Sequence, residues 1–184
     1  MKTLFLKNEF LYDGTQLRPL YAYLEHKVLG NSVVSWVGPC QISFQHMVDG
    51  EDLLAQETIA GSKMLHFIVE IFERDLFSAV CLQRLFAAIV RDYLQGKVSG
   101  DISRQGDDLY WQGGKLSISI ASKSTVSSLI HFAMNISNEG TPVKTCSLED
   151  MKLSPEKVAQ DIMSLFAQEY LSILEATCKV RPLV

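Results

Sequence analysis

The sequence predicts an α+β domain, a mixed or antiparallel sheet with helices packed on one face. Three observations carry this. Two long stretches, 75–95 and one opening at Ser154-Pro155-Glu156, place apolar residues at helical spacing. Three stretches without turn residues, 32–37, 64–72 and 129–137, read as strands. Between them lie shorter strands joined at Gly113-Gly114, a hairpin signal that favours antiparallel pairing. With 184 residues the chain is expected to form a single domain over 1–184.

The elements follow in order. Residues 5–11 are a short strand closed by the turn Tyr12-Asp13-Gly14. Residues 16–29 read as a helix with Leu17, Leu20, Tyr21, Leu24 and Val28 on one face, Pro19 in its first turn and Gly30-Asn31 as its stop. The strand 32–37 ends at Gly38-Pro39, and 49–58 is a short acidic helix. The strand 64–72 precedes the helix 75–95, which has Asp75 as cap and Gly96 as stop. The apolar stripe of that helix is Leu76, Val80, Leu85, Ile89, Val90 and Tyr93, with Gln83 and Arg84 on its solvated side. Short strands at 101–104, 107–112 and 115–121 come next, then the strand 129–137. Ser154 caps the last helix and Pro155 takes its first position. Its stripe is Val158, Ile162, Leu165, Phe166, Leu174 and Cys178.

Composition narrows the function. Hydrophobic residues at 47% exclude global disorder, and a net charge of -4 argues against nucleic-acid binding. The stretch 116–136 carries Lys123 and a run of Ser and Thr, so no membrane span is expected. The N-terminal residues have too short an apolar core for a signal peptide, which predicts a cytoplasmic protein. Cys40, Cys81, Cys146 and Cys178 are far apart without a CxxC pair, so free thiols and no metal site are expected.

Period-two alternation divides the strands into faces. One face is apolar: Leu65, Phe67, Val69 and Ile71, then Leu116, Ile118 and Ile120, then Ile130, Phe132, Met134 and Ile136. The other carries His66, Glu70, Lys115, Ser117, Ser119, His131 and Asn135. Two readings of this polar face stand side by side, a solvated sheet face and a concave binding surface. His66, with Glu70 as a neighbour, is either a base or a hydrogen-bonded structural histidine. Cys40 in Gly-Pro-Cys is either a nucleophile or an inert buried thiol, the latter favoured because reactivity requires an electropositive, accessible setting.

The segment from Arg104 to Leu116 holds the most chemistry. Its hairpin brings Asp108 close to Lys115. A lysine there can neutralise phosphate or carboxylate oxygens, and an acid beside it can hold it or recruit Mg²⁺. The plain alternative is an exposed hairpin with turn-type Asp and Gly.

This hairpin resembles the signature of biotin protein ligases. Arg104 falls at its first basic residue, Asp107 replaces an asparagine, and Asp108-Leu109-Tyr110 and Lys115-Leu116 match directly. The stretch from Ile130 to Ile136 resembles a later strand of that family, with Asn135 in the place of its asparagine. The whole chain is similar to the domain of unknown function 366 family, through Tyr12-Asp13-Gly14, Gly38-Pro39-Cys40, 64–70, 106–110 and 140–143. The resemblance implies a biotin/lipoate ligase-like (class II synthetase-like) fold and activation or transfer of a small carboxylic acid with ATP and Mg²⁺. Lys115 and Asp108 would be catalytic. Asn135, His131, His66, Glu70, Arg104 and Asp107 would bind substrate, and a homodimer is expected.

The chain departs from the ligase pattern in two places. Residues 38–63 lack the Gly- and Arg-rich loop and carry Asp49-Gly50-Glu51-Asp52, and Ser117-Ile118 replaces Ala-Gly. These departures support the alternative of a non-catalytic module on the same fold, binding a small molecule or a protein. A transferase acting through Cys40 is a third option.

Overall fold

The computed structural model describes residues 1–56, 59–72, 75–141 and 143–183. Thr58, the expected end of the acidic helix, and Pro142 lie outside the described residues. In chain order the elements are β1 (Lys2–Leu6), α1 (Tyr21–His26), β2 (Ser32–Ile42), α2 (Gly50–Ala55), β3 (Ile59–Ile71), α3 (Leu76–Gln95), β4 (Ile102–Gln105), β5 (Asp108–Trp111), β6 (Gly114–Lys115), β7 (Ser117–Lys123), β8 (Ser128–Asn135) and α4 (Pro155–Cys178). Five strands form one sheet in the order β1-β2-β3-β8-β7, and β4-β5-β6 form a second, smaller one. β1 runs parallel to β2, and the other neighbours are antiparallel, so the large sheet is mixed.

The two long helices cover one face of the large sheet. Val33, Leu65, Phe67, Val69, Ile130, Phe132 and Met134 meet Phe86, Val90, Ile162 and Phe166 there. Phe86 is the hub, with ring centroids 5.3 Å from Phe67, 5.1 Å from Phe132 and 5.0 Å from Phe166. Such tilted and edge contacts add to plain area burial. Among the described residues no helix is long and apolar enough to cross a membrane.

Asp75 caps α3 as expected, its side chain accepting from the Phe77 and Ser78 amides. The buried stripe is different: Ala79, Gln83, Phe86, Ala87, Val90 and Leu94. Of the expected stripe only Val90 is fully buried, and Leu76 is exposed. α3 is apolar around much of its circumference, so several phases satisfy the pattern. The small Ala79 and Ala87 let the helix approach the sheet on the side that inserts Phe86. On α4, Val158, Ile162 and Phe166 are buried as expected. Leu165, Leu174 and Cys178 are exposed.

The N-terminal third departs furthest. β1 starts three residues earlier than expected, and the helix expected over 16–29 shrinks to the six residues of α1. Leu20 adopts φ 62, outside helical space, and its amide donates to Glu70 Oε1 at 2.8 Å. A buried carboxylate needs donors, and this tertiary demand overrides the local pattern. β2 runs through Gly38-Pro39 rather than ending there, with a register shift between Gly38 and Cys40. Such a bulge tolerates a proline that cannot donate to the ladder. The hairpin turn uses Gln112 and Gly113, at φ 50 and 74, one residue earlier than Gly113-Gly114.

β7 corrects the assignment of faces. Its register sets Ile118 against Ala133 and Ile120 against His131, with Ser117 against Met134 and Ser119 against Phe132. Opposed residues share a face. Ile118 and Ile120 therefore lie on the polar side, and Ser117 and Ser119 on the helix side, the reverse of the sequence expectation. Leu116 falls between β6 and β7, and Lys115 pairs in the small sheet. The alternation does not carry across that break.

Replacing Phe86 by alanine is expected to cost about 3–5 kcal/mol, because its neighbours come from three elements and cannot all close the gap. Denaturant unfolding checks this, and a loss within about 1 kcal/mol would show that the core is not organised around this ring.

Candidate functional site

The second face of the sheet is not solvated. Val34, Trp36, Ile68 and Ala133 pack there with Tyr12, Tyr21 and Ala22 of the N-terminal segment. Under this cover His66, Glu70, His131 and Asn135 are all at most 5% exposed. Each has partners. Glu70 Oε1 accepts from the Leu20 amide and from the Ser127 hydroxyl at 2.7 Å. Asn135 Nδ2 donates to the carbonyls of Lys115 and Cys146 at 3.1 and 3.3 Å. His66 Nε2 lies 3.1 Å from the Gly38 carbonyl oxygen, and its Nδ1 3.2 Å from His131 Nε2. Tyr12 stacks on His131 with centroids 3.8 Å apart at 14°.

The segment before Tyr12 is pressed onto β2. The Phe10 carbonyl accepts from Trp36 Nε1 at 3.1 Å. It also crosses so close to Gly38 that a Cβ there would meet its oxygen at 1.8 Å. Only glycine admits that approach. Burial lowers His66 to about 4, and burial with the neighbouring His66 lowers His131 well below its ordinary value. Both rings are therefore neutral at pH 7.

The small sheet supplies the charges. Lys115 Nζ pairs with Asp108 Oδ2 at 2.8 Å. Burial pulls the Lys115 ammonium down, but the hydrogen bond and charge of Asp108 outweigh this and hold it above its ordinary value. Arg84 Nη1 of α3 pairs with Asp107 Oδ1 at 2.6 Å, and Gln83 Nε2 donates to Asp107 Oδ2 at 2.7 Å. Burial raises the Asp107 carboxyl, against the pull of Arg84. Gly106 sits at φ 66, where a Cβ would meet Arg84 Nη1 at 2.2 Å, so a side chain here would displace the guanidinium.

These groups surround a cavity of about 750 Å³. Tyr12 of the N-terminal segment and His131 and Asn135 of β8 line it, with Ile118 and Ile120 from β7, and Arg84, Asp107, Asp108 and Lys115 from α3 and the hairpin. The segment from His46 to Asp52 closes another side, with Asp49 capping α2 through the Glu51 and Asp52 amides. Of the residues singled out in the sequence, Lys115, Asp108, Asp107, His131 and Asn135 meet at this cavity. His66 stands behind His131. Glu70 is spent on Leu20 and Ser127, and Arg104 donates to the Gly106 carbonyl instead. Ser117 and Ser119 line the cavity from the helix side of β7.

Two cavity residues, Tyr12 and Arg84, and Gln83, which holds Asp107, were not legible in the sequence. Tyr12 reads as part of a turn, and Arg84 and Gln83 as solvated. The signal for Gln83 was its place in the Ala79–Phe86–Ala87 row, where a polar side chain requires a partner. Cys40 is buried, does not line the cavity, and has its thiol pushed up to about 12 by burial, which makes it a poor nucleophile. Among the described residues no three His, Cys, Asp or Glu side chains form a metal site.

Residues 1–181 match the family described as "Domain of unknown function (DUF366)". The chain is 30% identical to "Uncharacterized protein MJ0805" of Methanocaldococcus jannaschii, over 100% of this chain and 86% of that one. A solved "Protein of Unknown Function from Pyrococcus horikoshi" superposes with TM-score 0.95 at 34% identity, covering 99% of this chain and 98% of that one. A biotin protein ligase from Aquifex aeolicus, solved with biotin and ATP, superposes with TM-score 0.59 at 14% identity, covering 91% and 69%. The chain thus has the biotin/lipoate protein ligase fold.

The neutral histidine pair makes stability depend on pH. Held at about 4 against an ordinary 6.5, His66 refuses a proton that the unfolded chain accepts. Its contribution is whole above about pH 6.5 and is lost as pH falls towards about 4, by about 3 kcal/mol, with His131 acting in the same direction. Denaturant unfolding across this range should show stability falling with acid, and His66→Gln should flatten the slope. An unchanged slope in that variant would refute the assignment.

Proposed function

The chain belongs to the DUF366 family, and from that premise we propose that it binds a small carboxylic acid in the cavity beside Lys115 and activates it with ATP. The observation that carries the reading is the Lys115–Asp108 pair at the wall of a cavity large enough for a small ligand. The neighbour on the same fold solved with biotin and ATP supports it. In this reaction a carboxylate oxygen attacks the α-phosphorus of ATP, the bond to the β-phosphate oxygen breaks, and pyrophosphate leaves. Lys115 meets the charge that develops on the phosphate, where a preorganised cation contributes most. Asp108 aims the ammonium. Arg84 is the second cation at the wall, aimed by Asp107 and Gln83.

The acid chemistry of the wall sets a condition. Asp49, Glu51, Asp52, Asp107 and Asp108 all line the cavity. A triphosphate entering there needs Mg²⁺ to offset the repulsion. The proposed homodimer would form at a sheet edge, where β1 and β7 are the outer strands.

One observation favours a second reading, a non-catalytic binding module. Both cavity cations already hold a carboxylate partner, Lys115 with Asp108 and Arg84 with Asp107. A ligand without phosphate would leave these pairs in place.

ATP–pyrophosphate exchange, run with a pool of small carboxylic acids, separates the two. Exchange that needs Mg²⁺ and falls about 10²-fold or more in Lys115→Ala is expected for adenylation. Binding of an acid without exchange, in folded protein, would favour the module. Exchange that persists in Lys115→Ala would remove that residue from the chemistry.

A further inference from the structure

The hydrogen bonds around His66 fix a tautomer that the proposed chemistry does not use. The Gly38 carbonyl can only accept, so His66 Nε2 must carry the hydrogen that spans their 3.1 Å contact. A neutral ring carries one such hydrogen, so His66 Nδ1 is a bare acceptor. His131 Nε2, 3.2 Å away, must then donate to it. The single hydrogen of His131 is thereby committed, and its Nδ1 is left with a lone pair.

That lone pair has no partner among the described residues. His131 is 2% exposed yet lines the cavity. Among the described residues the fully enclosed side-chain polar atoms without a bond are the Ser32 and Ser35 hydroxyl oxygens. His131 Nδ1 is not one of them, so it opens onto space, and the space beside it is the cavity. The Tyr12 hydroxyl stands in the same position, on a ring stacked against His131 and likewise lining the cavity. Beside His131 on the same face the register places Ile120, and beside Ala133 it places Ile118, neither of which offers a polar group. His131 lies four residues from Asn135, roughly 13 Å along the strand. Asn135 in turn holds the Lys115 carbonyl. Lys115 thus stands towards the Asn135 end of β8 and the His131 ring further along it, while the Arg84–Asp107 pair is tied through Gln83 and Ser119 to the His131 backbone and not to its ring.

We infer that His131 is a specificity-determining residue: its Nδ1 selects a ligand that presents an N–H or O–H donor at the end remote from Lys115. The inference rests on the carboxylate reading above and names the class of acid, one with a neutral donor group at its far end. An acid with a bare hydrocarbon or ether end leaves the histidine lone pair buried and unpaired, which a binding site penalises.

Matched ω-hydroxy and ω-methoxy fatty acids test this, since they differ in the donor hydrogen and share the carboxylate. Calorimetry on the wild-type protein, over chain lengths that span the cavity, should show the hydroxy acid bound about tenfold or more tightly. In His131→Phe that preference should collapse towards parity. Should that variant fail to fold, ¹⁵N NMR of the histidine-labelled wild-type protein gives an independent reading. His131 Nδ1 is expected to register as unprotonated and Nε2 as protonated, and the opposite pattern overturns the inference. Equal binding of the two acids overturns it as well and leaves the carboxylate reading standing. Binding of neither series overturns both.

Discussion

Eight consecutive residues of β3, Met64 to Ile71, are withdrawn from water. Everything else in the structure answers to this double burial. On the helix side the answer is apolar: Leu65, Phe67, Val69 and Ile71 meet α3 and α4. On the other side the strand carries His66 and Glu70, which cannot be buried without partners. The N-terminal segment supplies them. It bends at Leu20 to give Glu70 an amide, and it lays Tyr12 over the histidine pair. A sheet face that sequence pattern alone allows to be wet is thus roofed by the chain's own beginning, and the cavity is what the roof leaves open.

The same economy governs the charges. Lys115 and Arg84 stand at the cavity wall, held by Asp108 of β5 and by Asp107 just before it. Gly106 makes this possible by leaving room for the guanidinium. Paired in this way, the two cations are fixed in place rather than free to follow solvent, which is the state a binding site requires of them. Glu51 and Asp52 of α2 line the same cavity. The site therefore carries both signs, and a polyanion enters it only with its own counter-ion. That is the physical difference from a site walled by glycine and arginine.

Similarity to ligases at 14% identity fixes the fold, and fold alone does not fix chemistry. Lys115 and its surroundings favour an acid substrate, and a histidine tautomer favours a donor group on the ligand. The two contacts are independent in their physics. One depends on charge and on salt, the other on a directional bond between neutral atoms.

Local pattern in the sequence determined the class of fold, the Asp75 cap of α3, the buried Val158, Ile162 and Phe166 of α4, the apolar face of β3 and β8, and the proximity of Asp108 to Lys115. These are decided by residues close together in the chain, through alternation, capping and a tight turn. What lay beyond reach came from contacts distant in sequence. The carboxylate of Glu70, fifty residues from Leu20, broke a helix that the local pattern supports. The packing of Phe86 against three elements chose one phase of α3 among several. The break at Leu116 inverted the faces of β7, because a period of two keeps its phase only while the ladder is unbroken. And whether His66 and His131 face solvent or a sealed interior was decided by Tyr12, a residue that no strand pattern connects to them.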